Sequence, residues 1–171
     1  MNGLNQASGV DYDALDAFKR LAQEWAEKTT FNIEWLSPYK LNLDLRTSRG
    51  ESAYLLRDGD HFIAHVHEGL GTKVLVPIAM GSEKIEHWRC IGIDTAATGL
   101  NDCITTGALP NSLAMHIAVG GAAFLAKPGR AEGLVKGYFS AAHDAMCVWG
   151  PGETAELKGI IHSETAELSC S

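Results

Sequence analysis

The run His67-Glu68-Gly69-Leu70-Gly71-Thr72-Lys73 gathers residue types that suit an anion: two glycines, a hydroxyl, a lysine and a carboxylate immediately before them. Glycine lets backbone N–H groups approach a ligand closely, and the start of a following helix favours negative charge. A phosphate would find a cation in Lys73 and a hydroxyl in Thr72. The Walker spacing G-x-x-x-x-G-K-[ST] is absent, and Gly-x-Gly also occurs in ordinary turns, which is the competing reading of these residues alone.

A cluster of carboxylates beside that loop would fit such an arrangement; Asp94, Asp102 and Glu153, with Asn101, are brought into it only by the family resemblance given below. Such groups can hold Mg²⁺, which carries positive charge to a nucleotide that the chain's formal charge of −7 would otherwise repel. Each also has a plainer reading: Asp94 as an exposed helix residue, Asn101-Asp102 as a cap or local break, Glu153 as a solvated loop residue. His65 and His67 share a strand face and could bind a metal beside Glu68, or simply be strand residues. His116 reads as a satisfied core histidine and Trp149 as a packing residue.

Those residues need a scaffold, and the composition describes one globular domain over residues 1–171, with 46% hydrophobic and 20% charged residues. No apolar run approaches the roughly 18 residues of a membrane span, and Met1 to Asp11 lacks the pattern of a signal peptide. A cytoplasmic protein without a membrane partner is the expectation. The acidic balance and the lack of a Lys/Arg cluster argue against nucleic acid as a partner. Cys90, Cys103, Cys147 and Cys170 form no C-x-x-C pair, so they suggest neither a zinc site nor a disulfide framework.

Periodicity predicts a helix over 11–28, carrying Leu15, Phe18, Leu21 and Trp25 on a face that should pack on a core. Residues 29–49 read as a loop or mobile connection. A hairpin follows, with strands 52–57 and 61–66 about Asp58-Gly59-Asp60, and its second strand delivers the glycine loop. Further on come a short helix over 72–80 broken or bent near Pro77, a longer one over 83–107 and a strand over 113–119 ending at Gly120-Gly121. A helix over 131–145 and a short strand over 146–149, running into Gly150-Pro151-Gly152-Glu153, complete the pattern. The order is mixed α/β rather than strictly alternating. The echo of 152–157 in 163–168 is short enough to be chance.

Four segments, in order and covering nearly the whole chain, resemble the aminoimidazole ribonucleotide synthetase (phosphoribosylformylglycinamidine cyclo-ligase) family. They are Ser8-Gly9-Val10-Asp11-Tyr12-Asp13-Ala14, Glu68-Gly69-Leu70-Gly71-Thr72-Lys73, Ile93-Asp94 with Asn101-Asp102 and Gly107-Ala108-Leu109-Pro110, and Gly152-Glu153-Thr154. The resemblance implies an α+β domain, a mixed sheet flanked by helices, whose sheet closes a barrel with that of a second copy in a homodimer. It implies ATP and Mg²⁺ as cofactors and a phosphoribosyl amidine as substrate. It also implies that a second α/β domain of the family is absent from these 171 residues. Glu68 and Asp94 would be metal ligands. Gly69, Gly71, Thr72, Lys73, Asn101, Asp102 and Glu153 would contact nucleotide or substrate.

In that family ATP activates an amide-type oxygen and a nitrogen of the same substrate closes an imidazole ring, chemistry that needs positioning and charge neutralisation more than a protein nucleophile. The opening segment favours this branch over selenophosphate synthetase, thiamine-monophosphate kinase and the amidotransferase that precedes the cyclo-ligase. Two departures stand out: Glu68 replaces the family's aspartate, and Pro151 replaces a glycine and removes an N–H donor. The alternative function is therefore a non-catalytic dimerisation or nucleotide-binding module.

Overall fold

The computed structural model describes residues 12–29, 32, 41–44 and 48–171, without the side chains of 12–14 and 41–44. The chain divides into two compact units, 1–63 and 64–171. No helix among the described residues is long and apolar enough to cross a membrane.

The first unit holds helix α1 (Tyr12–Glu27) and a sheet of order β1-β2-β3, formed by Leu41–Asp44, Tyr54–Asp58 and His61–His65. Gly59 makes the β2–β3 turn at φ 59°, where a side chain would be strained. The helix has its expected apolar stripe, but among the described residues Leu15, Phe18, Leu21 and Trp25 stay 45 to 70% exposed. Strand β1 falls inside the stretch expected to be loop. Most of 29–49, and Ser8 to Asp11 of the opening segment, lie outside the described residues.

The second unit is a sheet of order β4-β7-β5-β6. Its strands are β4 (Glu68–Gly69), β5 (Ser112–Val119), β6 (Val148–Glu156) and β7 (Ala166–Cys170). It is mixed, with β5 parallel to β6 and antiparallel to β7, while β4 is antiparallel to β7. Between β4 and β5 come a 3₁₀ turn (Gly71–Val74), α2 (Leu75–Ala79) and the long helix α3 (Ile85–Thr105). A short helix α4 (Ala123–Ala126) and α5 (Arg130–Asp144) lie between β5 and β6. This is the expected α+β class. The helix expected over 72–80 is divided into that 3₁₀ turn and α2, with Pro77 in the first turn of α2, where its missing N–H costs little.

Alternation builds the core. Leu113, Ile117 and Val119 of β5 join Ala166, Leu168 and Cys170 of β7 in two apolar clusters that include Trp88, Phe124, Leu134 and Tyr138. Trp88 is fully buried, meets Phe124 edge-on at 5.6 Å and donates its indole N–H to the Ser82 carbonyl at 2.9 Å. Tyr138 donates its hydroxyl to the Ser169 carbonyl at 2.8 Å, and burial pushes its phenol far above the ordinary range. Burial likewise raises the Cys103 and Cys147 thiols.

Helices α3 and α5 cross through glycine. A Cβ at Gly133 would lie 2.5 Å from the Ile85 carbonyl oxygen and from Trp88 Cβ, and one at Gly137 would lie 2.7 Å from Ile93 N. Backbone meets backbone there, which brings α3 close enough to lie along β4 and β7.

Two strands differ from expectation. Strand β6 does not stop at Trp149 but continues to Glu156. Leu113 pairs with Trp149 and Met115 with Gly152, so β6 carries one extra residue at Gly150-Pro151. That bulge, on an edge strand, is where a proline costs least. Strand β7, unexpected from the sequence, lies between β4 and β5. Its pattern is nonetheless period two: Ala166, Leu168 and Cys170 are core, while Glu167 points to the other face with Ser169.

Candidate functional site

The glycine loop hangs on β7. Glu68 pairs with Cys170 and Gly69 with Ser169, and the Leu70 N–H reaches the Leu168 carbonyl at 2.8 Å. Leu70 and Val74 are buried anchors, so the loop between them is fixed at both ends while Gly71, Thr72 and Lys73 remain exposed. Gly71 has φ 68°, and open space surrounds the place of its missing side chain. The backbone at this turn is thus accessible to a ligand, as the glycine spacing suggests.

Lys73 Nζ lies 3.1 Å from Asp94 Oδ2, with the two side chains 53% and 40% exposed. The residue expected to meet phosphate and one expected to hold a metal are therefore brought together across the loop and α3. An exposed pair of this kind is worth about 0 to 1 kcal/mol, so it opens readily when a stronger partner arrives.

Glu68 reaches the same neighbourhood by another route. Its strand partner Cys170 packs on α3, where Thr98 Oγ1 lies 3.5 Å from Cys170 Sγ and a Cβ at Gly99 would come within 2.6 Å of that sulfur. Asp94 and Thr98 are one helical turn apart, and Asn101 lies two turns from Asp94 on nearly the same side. Asp102 follows, about a quarter turn round the helix. Asn101 is exposed and Asp102 partly so. One side of α3 thus faces the strand that delivers Glu68 with a row of polar groups.

Glu153 is placed elsewhere. It pairs with His116 on β6, the edge strand opposite β4, so β7 and β5 separate it from the glycine loop. His116 is not a core histidine: its side chain is 36% exposed on the sheet face away from α3, with Nδ1 at 3.2 Å from both Glu167 Oε2 and Ser169 Oγ. Trp149 packs on Tyr138 at 5.5 Å, as expected of a packing residue. His67 Nδ1 meets Ser171 Oγ at 2.7 Å. Among the described residues no three His, Cys, Asp or Glu side chains converge as a preformed metal cage.

Sequence reasoning missed Thr98 and Cys170, which tie α3 to the glycine loop, because neither residue type signals chemistry alone. The four-residue spacing from Asp94 to Thr98 was the available signal.

Comparison with known proteins shows the family. Residues 50–168 match the AIR synthase related protein, N-terminal domain family. A phosphoribosylformylglycinamidine cyclo-ligase of Methanobrevibacter smithii is 33% identical over 154 residues, 90% of this chain and 40% of that protein. One from Carboxydothermus hydrogenoformans is 33% identical over 162 residues, 92% of this chain and 41% of that protein. One from Methanosarcina barkeri is 36% identical over 117 residues, 67% of this chain and 32% of that protein. The chain therefore spans about two fifths of the length of the first two relatives. The matched region holds the glycine loop, α3 and the whole four-stranded sheet apart from the last residues of β7, and with it the chain belongs to the AIR synthase related protein, N-terminal domain family.

Proposed function

We propose that the loop from Glu68 to Lys73, with Asp94, forms the metal–nucleotide end of a phosphoribosylformylglycinamidine cyclo-ligase-like site. The observation that carries this reading is the Lys73–Asp94 pair beside an accessible glycine turn. A Mg²⁺ ion that arrives with phosphates needs only one or two protein carboxylates, so Glu68 and Asp94 suit it without a third ligand. Bound ATP would supply the phosphoryl group that activates the oxygen of a phosphoribosyl amidine for ring closure. The chain's own part is to exchange the Lys73–Asp94 contact for two better ones: Lys73 to phosphate, Asp94 to metal. Gly69, Gly71 and Thr72 add backbone and hydroxyl contacts, and Asn101 and Asp102 face the same region from α3.

The test is calorimetric titration of the chain with a non-hydrolysable ATP analogue, with and without Mg²⁺. Saturable, Mg²⁺-dependent binding is expected, weakened at least about 100-fold by Glu68→Ala or Asp94→Ala. A folded chain that binds no nucleotide would instead favour the non-catalytic module.

We further infer that two copies associate through the second unit's sheet. Strand β6 is an exposed edge, and His116 and Glu167 lie on the face away from α3. Sedimentation velocity at micromolar concentration should give a dimer; a monomer would exclude a shared barrel.

A further inference from the structure

The helices of the second unit pack on one face of its sheet, where Leu113, Ile117, Leu168 and Cys170 meet α3 and α5. The other face is built from small residues around a few tall ones. Gly69 pairs with Ser169, Ser169 with His116 and His116 with Glu153, so these four residues form one row across all four strands. Side chains in such a row share a face. Glu167, Ala118 and Ala155 form the neighbouring row on the same side, and Glu167 leans back to reach His116.

The titratable groups of this face are two carboxylates and two imidazoles. Glu153 comes from β6, Glu167 from β7 and His116 from β5, while His67, just before β4, meets Ser171 Oγ. Tyr138 and Cys170 belong to the core on the opposite face. No Lys or Arg stands in these rows among the described residues. Histidine is therefore the source of positive charge within the face, and it is the side chain whose charge ordinarily changes between about pH 5 and 8.

His116 stands at the centre of that charge pattern. Its Nδ1 lies 3.2 Å from both Glu167 Oε2 and Ser169 Oγ, and Glu153 is one strand spacing, about 5 Å, away on the other side. Against a carboxylate, Nδ1 carries the ring hydrogen. Nε2 is left without a partner among the described residues, on a side chain that is 36% exposed and held in place by Glu167. In the neutral ring Nε2 is one more acceptor among carboxylate oxygens. A proton turns it into a donor.

Two copies joined through this sheet would gather the Glu153 and Glu167 carboxylates of both and take them out of water. Like charges brought together in that way repel more strongly than in solvent. We infer that His116 makes the association pH-dependent: each copy takes up a proton at His116 Nε2 as the sheets close, and the new N–H meets a carboxylate of the other copy. The inference rests on the dimer proposed above and adds the group that regulates it. A dimer that binds more protons than two monomers strengthens as pH falls through the histidine range and weakens as pH rises through it. Two protons per dimer set the steepest dependence at about 100-fold in affinity per pH unit.

Sedimentation velocity of the full chain, over about 0.1 to 50 µM and at constant ionic strength, gives the dimer affinity at each pH. It should be at least about tenfold tighter near pH 6 than near pH 8. His116→Gln should stay at the weaker value throughout, and His116→Lys, charged over the whole range, should be tighter than wild type near pH 8 and insensitive to pH. Glu153→Gln, at an exposed position outside the His116–Glu167 contact, should also tighten the dimer near pH 8 and flatten its pH dependence. Circular dichroism at each pH shows that the variants are folded. Affinity that is constant or weakens as pH falls, or wild-type pH dependence in His116→Gln, would overturn the role of His116 and leave the dimer standing. A monomer at every pH and concentration would overturn the dimer and its regulation together.

Discussion

Gly137→Ala is expected to destabilise the chain by about 2 to 4 kcal/mol and to lower its thermal midpoint by roughly 5 to 15 °C. In an isolated helix the change would be favourable by about 1 kcal/mol, since alanine is the better helix former. Here the new methyl would sit 2.7 Å from Ile93 N and 2.8 Å from Gly92 Cα, and closer still to the Arg89 carbonyl oxygen. None of these is the movable end of a side chain, so α3 and α5 must separate along a contact that includes Gly92 and Gly133. Separation loosens the cluster of Trp88, Ile91 and Leu134 and moves α3, which carries Asp94. Gly150→Ala is the control, because its Cβ would have 3.9 Å to the Leu113 carbonyl oxygen, an ordinary contact distance. Thermal denaturation of the two variants checks the prediction, and equal midpoints would show that the helix crossing is not close-packed.

Where a local pattern fixes an element, reading the sequence sufficed. Helix α3 spans Ile85–Thr105 within an expected 83–107, and β5 spans Ser112–Val119 against an expected 113–119. Helix α5 was likewise legible, because its apolar positions keep helical spacing and Gly129, at φ 77°, marks its start. Strand β7 was not, although Ala166, Leu168 and Cys170 alternate with polar residues. Small apolar side chains give a weak signal, and only the pairing with β5 on one side and β4 on the other makes the segment a central strand. The strand expected over 146–149 stopped at the Gly150-Pro151-Gly152 run, yet a bulge lets β6 pass through it, a tertiary accommodation that no local rule reports.

The candidate site shows the same division. The turn at Gly69-Leu70-Gly71 and its exposed lysine follow from residue types, because left-handed backbone at Gly71 is a local property. That Lys73 meets Asp94, twenty-one residues on, depends on how α3 lies along β4, and that in turn depends on the glycines between α3 and α5. Glu153 illustrates the converse. The resemblance makes it a nucleotide or substrate contact, and strand order puts it on the edge opposite the loop, since β7 and β5 intervene. Distance in a sheet is set by strand order, which spacing along the chain does not encode.

Lys73→Met should separate the two roles proposed for the Lys73–Asp94 pair. Both side chains are about half exposed, so the folded chain should lose less than about 1 kcal/mol of stability. Affinity for the Mg²⁺-bound ATP analogue should fall by roughly 30- to 100-fold, the effect of removing a charged donor from phosphate. Affinity for Mg²⁺ without nucleotide should rise slightly, because the ammonium that competes for the Asp94 carboxylate has gone. Asp94→Asn should weaken both, and the double variant should fall short of the sum of the single effects, as contacting residues do. Calorimetry of the four proteins with Mg²⁺ alone and with the Mg²⁺-bound analogue gives the complete cycle. If Lys73→Met leaves nucleotide affinity unchanged, Lys73 is only the structural counter-ion of Asp94 and phosphate does not bind at this loop. If it lowers nucleotide affinity while Mg²⁺ alone binds more tightly, the pair is a closed form of the site that nucleotide and metal open together.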